Sequence, residues 1–342
     1  MKSCGVQQLK APFYVQFEVT DKCNNRCFFC YNEKACTSGD ELSCDEIKRV
    51  LDELKVAGVF SVNLNGGEPL MRDDFFEIME YASYLGFDLH LNTNGTLIDD
   101  YAAKRIARCM RSICTSILHS DRDFHDKATG RKGSYDDVIR GIKYLVKNGV
   151  QVEVNVCTSK QNYKDIYSIA KLSADIGCYA LCSTRYILNH KDNLDLLMDK
   201  QSTIELVDAL IKAKNDFSGL HSVTLPGPVP FCELPMEYHA KLASLNIPCQ
   251  FGYGLCRISA TGNVTPCTIS DDLIGDLRKD SFENIWNSDK WSKYRKLEHL
   301  PSNCKLCDDL SFCHGGYVVY DQSILSCNVC VNTKKWCEAD VQ

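Results

Sequence analysis

The chain has 342 residues, enough for one large α/β domain with a smaller one beside it, or for two to three modest domains. Apolar residues at 44% and charged residues at 25% exclude wholesale disorder, and a net charge of −6 leaves no polyelectrolyte footprint for nucleic acid. No stretch of 18 apolar residues offers a membrane span and MKSCGVQQLKAPF lacks a secretory core, so the expectation is a cytoplasmic protein without nucleic-acid or membrane partners.

Along the first half, strand and helix patterns alternate. Tyr14–Thr20 (YVQFEVT) has the aromatic, β-branched character of a strand. Residues 46–57 place Ile47, Val50, Leu51 and Leu54 at helical spacing, with Ser43 as N-cap. Strands at 59–65, 88–92, 112–118, 150–157 and 179–187 then alternate with helices at 75–85, 99–109, 135–147 and 163–176. Such a run predicts a parallel βα repeat, open or closed into a barrel, with its chemistry at the C-terminal ends of the strands. A further amphipathic helix is expected at 201–215. Five of the nine prolines fall in 225–248, which predicts a connector. The predicted units are 1–195, a connector at 196–245, and a second, metal-organised unit at 246–342.

The 21 cysteines are too many for a chain that can build its own core, and in a reducing compartment they read as metal ligands. Cys23, Cys27 and Cys30 follow the first strand directly as CxxxCxxC. Three thiolates would serve three irons of a 4Fe-4S cubane and leave the fourth iron open, while a zinc knuckle would need another ligand. Asn65-Gly66-Gly67-Glu68-Pro69 follows the second strand, with paired glycines that permit close approach to the backbone and a carboxylate that could meet an ammonium group.

Together these two motifs resemble the radical S-adenosylmethionine (radical SAM) enzymes over residues 13–187. The resemblance implies a partial (β/α)6 TIM-like barrel. It also implies that Cys23, Cys27 and Cys30 hold a 4Fe-4S cluster whose open iron chelates S-adenosylmethionine. Phe29 would lie against adenine, and Gly66, Gly67, Glu68 and Pro69 would receive the ammonium group. Asn94, in Asn92-Thr93-Asn94-Gly95, matches a further family element, and Ser116 and Asn155 fall where ribose or carboxylate is contacted. His125-Asp126-Lys127-Ala128-Thr129-Gly130 departs from the family pattern, because the expected Arg near Thr129 is missing and Arg131 is the nearest substitute. The implied mechanism is one-electron cleavage of the sulfonium to a 5′-deoxyadenosyl radical that takes a substrate hydrogen atom, the electron coming from a donor such as flavodoxin or ferredoxin.

The tail carries Cys249, Cys256 and Cys267, then Cys304, Cys307 and Cys313, then Cys327, Cys330 and Cys337. Taken alone, its CxxC pairs fit structural zinc sites equally well. Attached to this core, it resembles the SPASM extension, which binds one or two auxiliary 4Fe-4S clusters, although Tyr317 stands where that pattern has a cysteine. The fold class expected is therefore α/β, a partial barrel followed by a cysteine-rich iron–sulfur domain. The remaining cysteines, including Cys114, Cys157, Cys178 and Cys182, read as core or free thiols.

Tyr14, Gln16, Glu18, His119 and Arg185, at or near the barrel strands, are candidate substrate-facing residues. The family's SPASM members chiefly modify peptides, so the first expectation is cross-linking, thioether formation or oxidation of a side chain in a ribosomal precursor peptide. With the cysteines beginning at Cys23, a separate leader-binding protein would present that peptide, or the core would bind it directly. The alternatives are oxidation, dehydration or epimerisation of a carbohydrate, side-chain chemistry on a tetrapyrrole or other small molecule, and a non-catalytic zinc or iron–sulfur scaffold.

Overall fold

The computed structural model describes residues 9–32, 40–187, 193–227, 229–247 and 250–300, together with Cys304, Cys307, Asp308 and Leu310. Its sheet has eleven strands in the order β11-β10-β9-β1-β2-β3-β4-β5-β6-β7-β8. β1 (Tyr14–Thr20), β2 (Ser61–Gly66), β3 (Asp88–Thr93), β4 (Ser112–Ser116), β5 (Gln151–Thr158) and β6 (Ala180–Arg185) run parallel in chain order. The intervening helices are α1 (Cys44–Ala57), α2 (Phe75–Tyr84), α3 (Asp100–Cys109), α4 (Arg122–Thr129), α5 (Ser134–Lys147) and α6 (Ile166–Asp175). This is the expected βα repeat. Local sequence dictates α1 directly: Ser43 and Glu46 form a reciprocal capping box, and Gly58 closes the helix in the left-handed conformation.

Alternation along the strands sorts the two faces. Val15, Phe17 and Val19 of β1 and Val152, Val154 and Val156 of β5 are fully buried in the core. Their neighbours Tyr14, Gln16, Glu153 and Asn155 line a cavity of about 530 Å³ on the other face.

Two features differ from the sequence expectation. α7 (Lys200–Asp216) is the expected amphipathic helix, but the stretch read as a connector also holds a strand, β7 (Ser222–Pro226), which pairs in parallel with β6. Proline ends β7 rather than excluding it, since the four residues Ser222–Leu225 form the strand before Pro226 closes it. Beyond it come short 3-10 turns after Pro230 and Pro235, α8 (His239–Leu245) and the two-residue β8 (Asn246–Ile247).

The second difference concerns the C-terminal unit. β9 (Leu255–Ile258) adds in parallel to β1, and β10 (Asn263–Thr265) and β11 (Gly275–Asp276) continue the sheet antiparallel. α9 (Phe282–Asn287) and α10 (Ser292–Arg295) follow, with Trp286 and Trp291 buried in the same core as the barrel. The Phe282 amide donates to Glu53 of α1 at 2.8 Å, and Trp286 Nε1 donates to the Leu9 carbonyl at 3.0 Å. No helix among the described residues is long and apolar enough to cross a membrane.

Candidate functional site

The cysteine loop leaves the C-terminal end of β1 and is fastened through its backbone. The Gly67 and Glu68 amides donate to the carbonyls of Thr20 and Lys22 at 2.8 and 2.7 Å. On the other side the Arg26 amide donates to the Thr129 carbonyl at 2.7 Å, and the Phe28 amide to Ala128 at 3.3 Å. Asn94 Nδ2 reaches Asn24 Oδ1 at 2.7 Å and Cys23 Sγ at 4.0 Å. Three motifs read separately in the sequence are therefore one hydrogen-bonded unit, with the end of α4 as its far wall.

The paired glycines serve this closure. A Cβ on Gly66 would lie 2.2 Å from the Thr20 carbonyl oxygen, and one on Gly67 would lie 2.3 Å from that of Lys22. Gly66 also has φ 149°, a conformation side-chain-bearing residues avoid. At the other wall, a Cβ on Gly130 would meet the Arg26 carbonyl oxygen at 2.6 Å. The glycines that sequence reading assigned to ligand approach are needed for loop-to-loop approach.

Glu68 corrects an expectation. Its carboxylate is fully buried and accepts from Thr93 Oγ1 at 2.8 Å, the Asn94 amide at 2.7 Å and the Leu70 amide at 3.1 Å. Burial pushes it up to about 7, against those donors, which favour the ionised form. Turned inward, it braces the β2 loop to the β3 loop and does not present itself to an ammonium group. Pro69, also buried, starts the short turn that aims it. Asn65 Oδ1, one residue before the glycines, is buried without a partner and is the open acceptor at that strand end.

Cys23, Cys27 and Cys30 are half-buried and could hold a 4Fe-4S cluster, one thiolate per iron. Burial raises the Cys27 thiol, and Cys30 and Cys23 raise it further. Cys23 is raised chiefly by burial. No three His, Cys, Asp or Glu side chains among the described residues converge as one mononuclear ion would require. The donor set nevertheless fits a cluster, whose thiolates stand apart around a cube. Cys157, read as a core thiol, sits near the C-terminal end of β5, where it raises the Cys27 thiol and is itself raised by burial and by Cys30. Its position every second residue after Glu153 and Asn155 was the signal for it. Phe29 is half-buried and meets Phe28 edge to face at 5.4 Å.

His125 anchors the α4 wall. Its Nδ1 accepts from the Leu118 amide at 3.2 Å, and burial lowers it to about 4, so it is neutral. Asp126 caps the next helix by accepting from the Gly133 and Tyr135 amides at 2.6 and 2.8 Å. Arg131 pairs with Asp137 at 2.5 Å on that side.

The five substrate-facing candidates separate. Tyr14 and Gln16 line the cavity, as does Asn155, which accepts from Thr184 at 2.9 Å. Ser116 lies opposite Asn155 in the β4–β5 register. Glu18 is fully buried and held bidentate by Arg257 of β9 at 2.8 and 2.5 Å, and it also accepts from Tyr31 at 3.1 Å. It ties β1 to β9 instead of facing substrate. His119 stacks on Phe124 at 4.4 Å and contacts Asp165 at 3.2 Å, outside the cavity lining. Arg185 donates to Thr203 of α7 at 3.3 Å and is likewise not among the lining residues.

Cys256 lies on β9 opposite Val15, fully buried. Thr265 of β10 pairs with Arg257, so the chain leaves that hairpin beside Cys256, with Cys267 two residues later and also buried. Cys304 is half-buried, and Cys307 is exposed. Cys249, Cys313, Tyr317, Cys327, Cys330 and Cys337 lie outside the described residues.

Family models match the radical SAM superfamily over residues 17–173 and the SPASM iron–sulfur cluster-binding domain over 249–308. The mycofactocin maturase MftC of Mycolicibacterium smegmatis is 30% identical, covering 90% of this chain and 78% of its own. The chain belongs to the radical SAM superfamily. It is a radical SAM enzyme with a SPASM domain, and its cofactors are S-adenosylmethionine and 4Fe-4S clusters. The AdoMet-dependent heme synthase of Methanosarcina barkeri is 27% identical over 91% of this chain and 92% of its own. Among solved structures, Streptococcus suis SuiB bound to S-adenosylmethionine superposes with TM-score 0.74 at 19% identity, covering 92% of this chain and 75% of that one. Native anSMEcpe with bound AdoMet gives TM-score 0.68 at 17% identity, over 89% and 88%. Both likenesses concern the fold.

Proposed function

We propose that this radical SAM enzyme modifies a side chain of a ribosomal precursor peptide. The observation that carries the reading is the cavity wall. Gln16, Asn63, Asn92, Gln151 and Asn155 present carboxamides, Ser112, Thr184 and Ser222 present hydroxyls, and no Lys or Arg is among the described lining residues. Carboxamides and hydroxyls match the donors and acceptors of a peptide. A tetrapyrrole, with its carboxylate side chains, would call for arginine or lysine partners. Among relatives, MftC is named as a maturase, AlbA as a subtilosin biosynthesis protein, and SuiB has been crystallised with its precursor peptide SuiA.

Cys23, Cys27 and Cys30 would hold the radical-generating cluster, and Asn65 Oδ1 would accept from the ammonium group of the methionine moiety. When bound, the cluster and S-adenosylmethionine supply reductive sulfonium cleavage and a 5′-deoxyadenosyl radical that removes a substrate hydrogen atom. The chain's own contribution is to fix the loop through Thr129, Ala128, Gly67 and Glu68, and to line the adjoining cavity with groups that orient the substrate. Residues 1–195 would carry this chemistry and 246–342 the auxiliary clusters, with Cys249, Cys256, Cys267, Cys304, Cys307, Cys313, Cys327, Cys330 and Cys337 as their ligand pool. A flavodoxin or ferredoxin would supply electrons, and a leader-binding protein is a candidate partner.

The heme synthase relatives favour a second reading, tetrapyrrole side-chain chemistry. Anaerobically reconstituted enzyme, dithionite and S-adenosylmethionine decide between them. Formation of 5′-deoxyadenosine that requires a Cys-, Ser- or aromatic-rich precursor peptide encoded beside the gene supports the peptide reading. Formation that requires a tetrapyrrole or a sugar overturns it.

A further inference from the structure

We propose that the barrel cavity contains a subsite for a cationic side chain, an ammonium or guanidinium group of the substrate, with Glu153 as its counter-ion and the side-chain carbonyls of Gln16 and Asn63 as further acceptors. It rests on the peptide reading only for the source of that cation.

Glu153 lies on β5, in register with Cys114 of β4 and Ala180 of β6, and its side chain enters the cavity with both neighbours. Its hydrogen-bond partner there is the Cys114 thiol, a weak donor. Asn63 is 1% exposed and lines the cavity, yet its Oδ1 has no partner, and Gln16 Oε1 beside it in the β1–β2 register is also without one. Buried acceptors without donors are costly unless a ligand completes them.

The electrostatics point the same way. Tyr14, Cys114, Cys182 and Glu153 all face this space, with His90 the one basic group among the described lining residues, and His90 contacts Asp88 at 3.0 Å. Burial raises all four acidic groups, and Glu153 raises Tyr14, Cys114 and Cys182 further, while the Cys114 hydrogen bond and His90 only partly offset the burial of Glu153 itself. A wall that resists its own ionisation in this manner is one a cation would relieve. A carboxylate ligand would instead add like charge.

Calorimetric titration of the anaerobic holoenzyme tests this with the blocked tripeptides Gly-Lys-Gly, Gly-norleucine-Gly and Gly-Glu-Gly, and with cadaverine. The lysine peptide is expected to bind about tenfold or more tighter than the norleucine peptide. Glu153→Gln should erase that difference while retaining its circular dichroism spectrum. Cadaverine binding more tightly than the lysine peptide, with the same dependence on Glu153, supports the subsite and assigns its cation to a free amine. Equal binding of lysine and norleucine peptides overturns the proposal, as does preference for the glutamate peptide or indifference to Glu153→Gln. Because the lysine–norleucine comparison needs only the unaltered enzyme, misfolding of the variant leaves the test intact. A failed peptide reading appears separately, as 5′-deoxyadenosine formation that requires a tetrapyrrole or a sugar in place of a peptide.

Discussion

In the Cys23–Cys30 loop the main chain itself is tied down, by carbonyls of Ala128 and Thr129 on one side and by the Gly67 and Glu68 amides on the other. The β9–β11 extension is joined to β1 by the β1–β9 ladder and is further tied down by side chains: Arg257 on Glu18, Arg49 on the Leu277 carbonyl, Glu53 on the Phe282 amide, and Trp286 and Trp291 packed around Arg295. The thiols differ accordingly. Those of the loop are half-buried at the strand ends, whereas Cys256 and Cys267 are buried within the extension. Backbone fastening fixes where sulfur sits whatever the rotamers of neighbouring residues, which suits a cluster that must accept S-adenosylmethionine on an open face. The added side-chain fastening suits a unit joined to the open edge of β1, where packing area and one buried ion pair reinforce the short β1–β9 ladder.

Four experiments press on this contrast, beginning with the largest effect. Cys27→Ala should abolish 5′-deoxyadenosine formation, whereas Cys307→Ala should lower iron content by up to about four atoms per chain and leave uncoupled cleavage measurable. If Cys27→Ala still yields 5′-deoxyadenosine by chromatography, the loop is not the radical-generating site. Next, Glu18→Gln leaves the Arg257 guanidinium without its buried counter-charge and should cost about 3–5 kcal/mol in denaturant unfolding. Glu18→Met combined with Arg257→Met should cost less than that single change, and a larger cost would show that the pair is more than a tie between β1 and β9.

The third concerns pH. His125 is held near 4 in the folded chain against about 6.5 when unfolded. Between those values the unfolded chain binds more protons, so stability rises with pH across that window and is flat above it. The residue should therefore account for about 3 kcal/mol lost between pH 6.5 and 4, and His125→Asn, which retains an acceptor for the Leu118 amide, should flatten that slope. An unchanged slope would remove His125 from the wall behind the loop. Smallest of all, Cys178→Ala, in the apolar core, should cost about 1 kcal/mol and leave iron content unchanged. Iron loss in that variant would blur the division between ligand and packing thiols.

Much of this was legible in the chain. The capping box at Ser43, the apolar spacing of α1 and the CxxxCxxC loop after β1 are local patterns, and local patterns carry local structure. α4 escaped notice because its eight residues RDFHDKAT are mostly polar and bury only His125, Ala128 and Thr129. β7 escaped because five residues ending in proline resemble the approach to a turn. The inward turn of Glu68 had no local signature, since Thr93 and Asn94 lie a whole βα unit away.

The sequence alone determined the βα rhythm, the trio of sulfurs at fixed spacing and the family to which they point, because each depends on residues only a few positions apart. Tertiary structure decided which acids face inward, that β9 extends β1 and that Glu18 serves this junction, and which side chains share the cavity with Glu153. Those outcomes depend on which strand edges pair and in what register, and register brings together residues as far apart as Glu18 and Arg257.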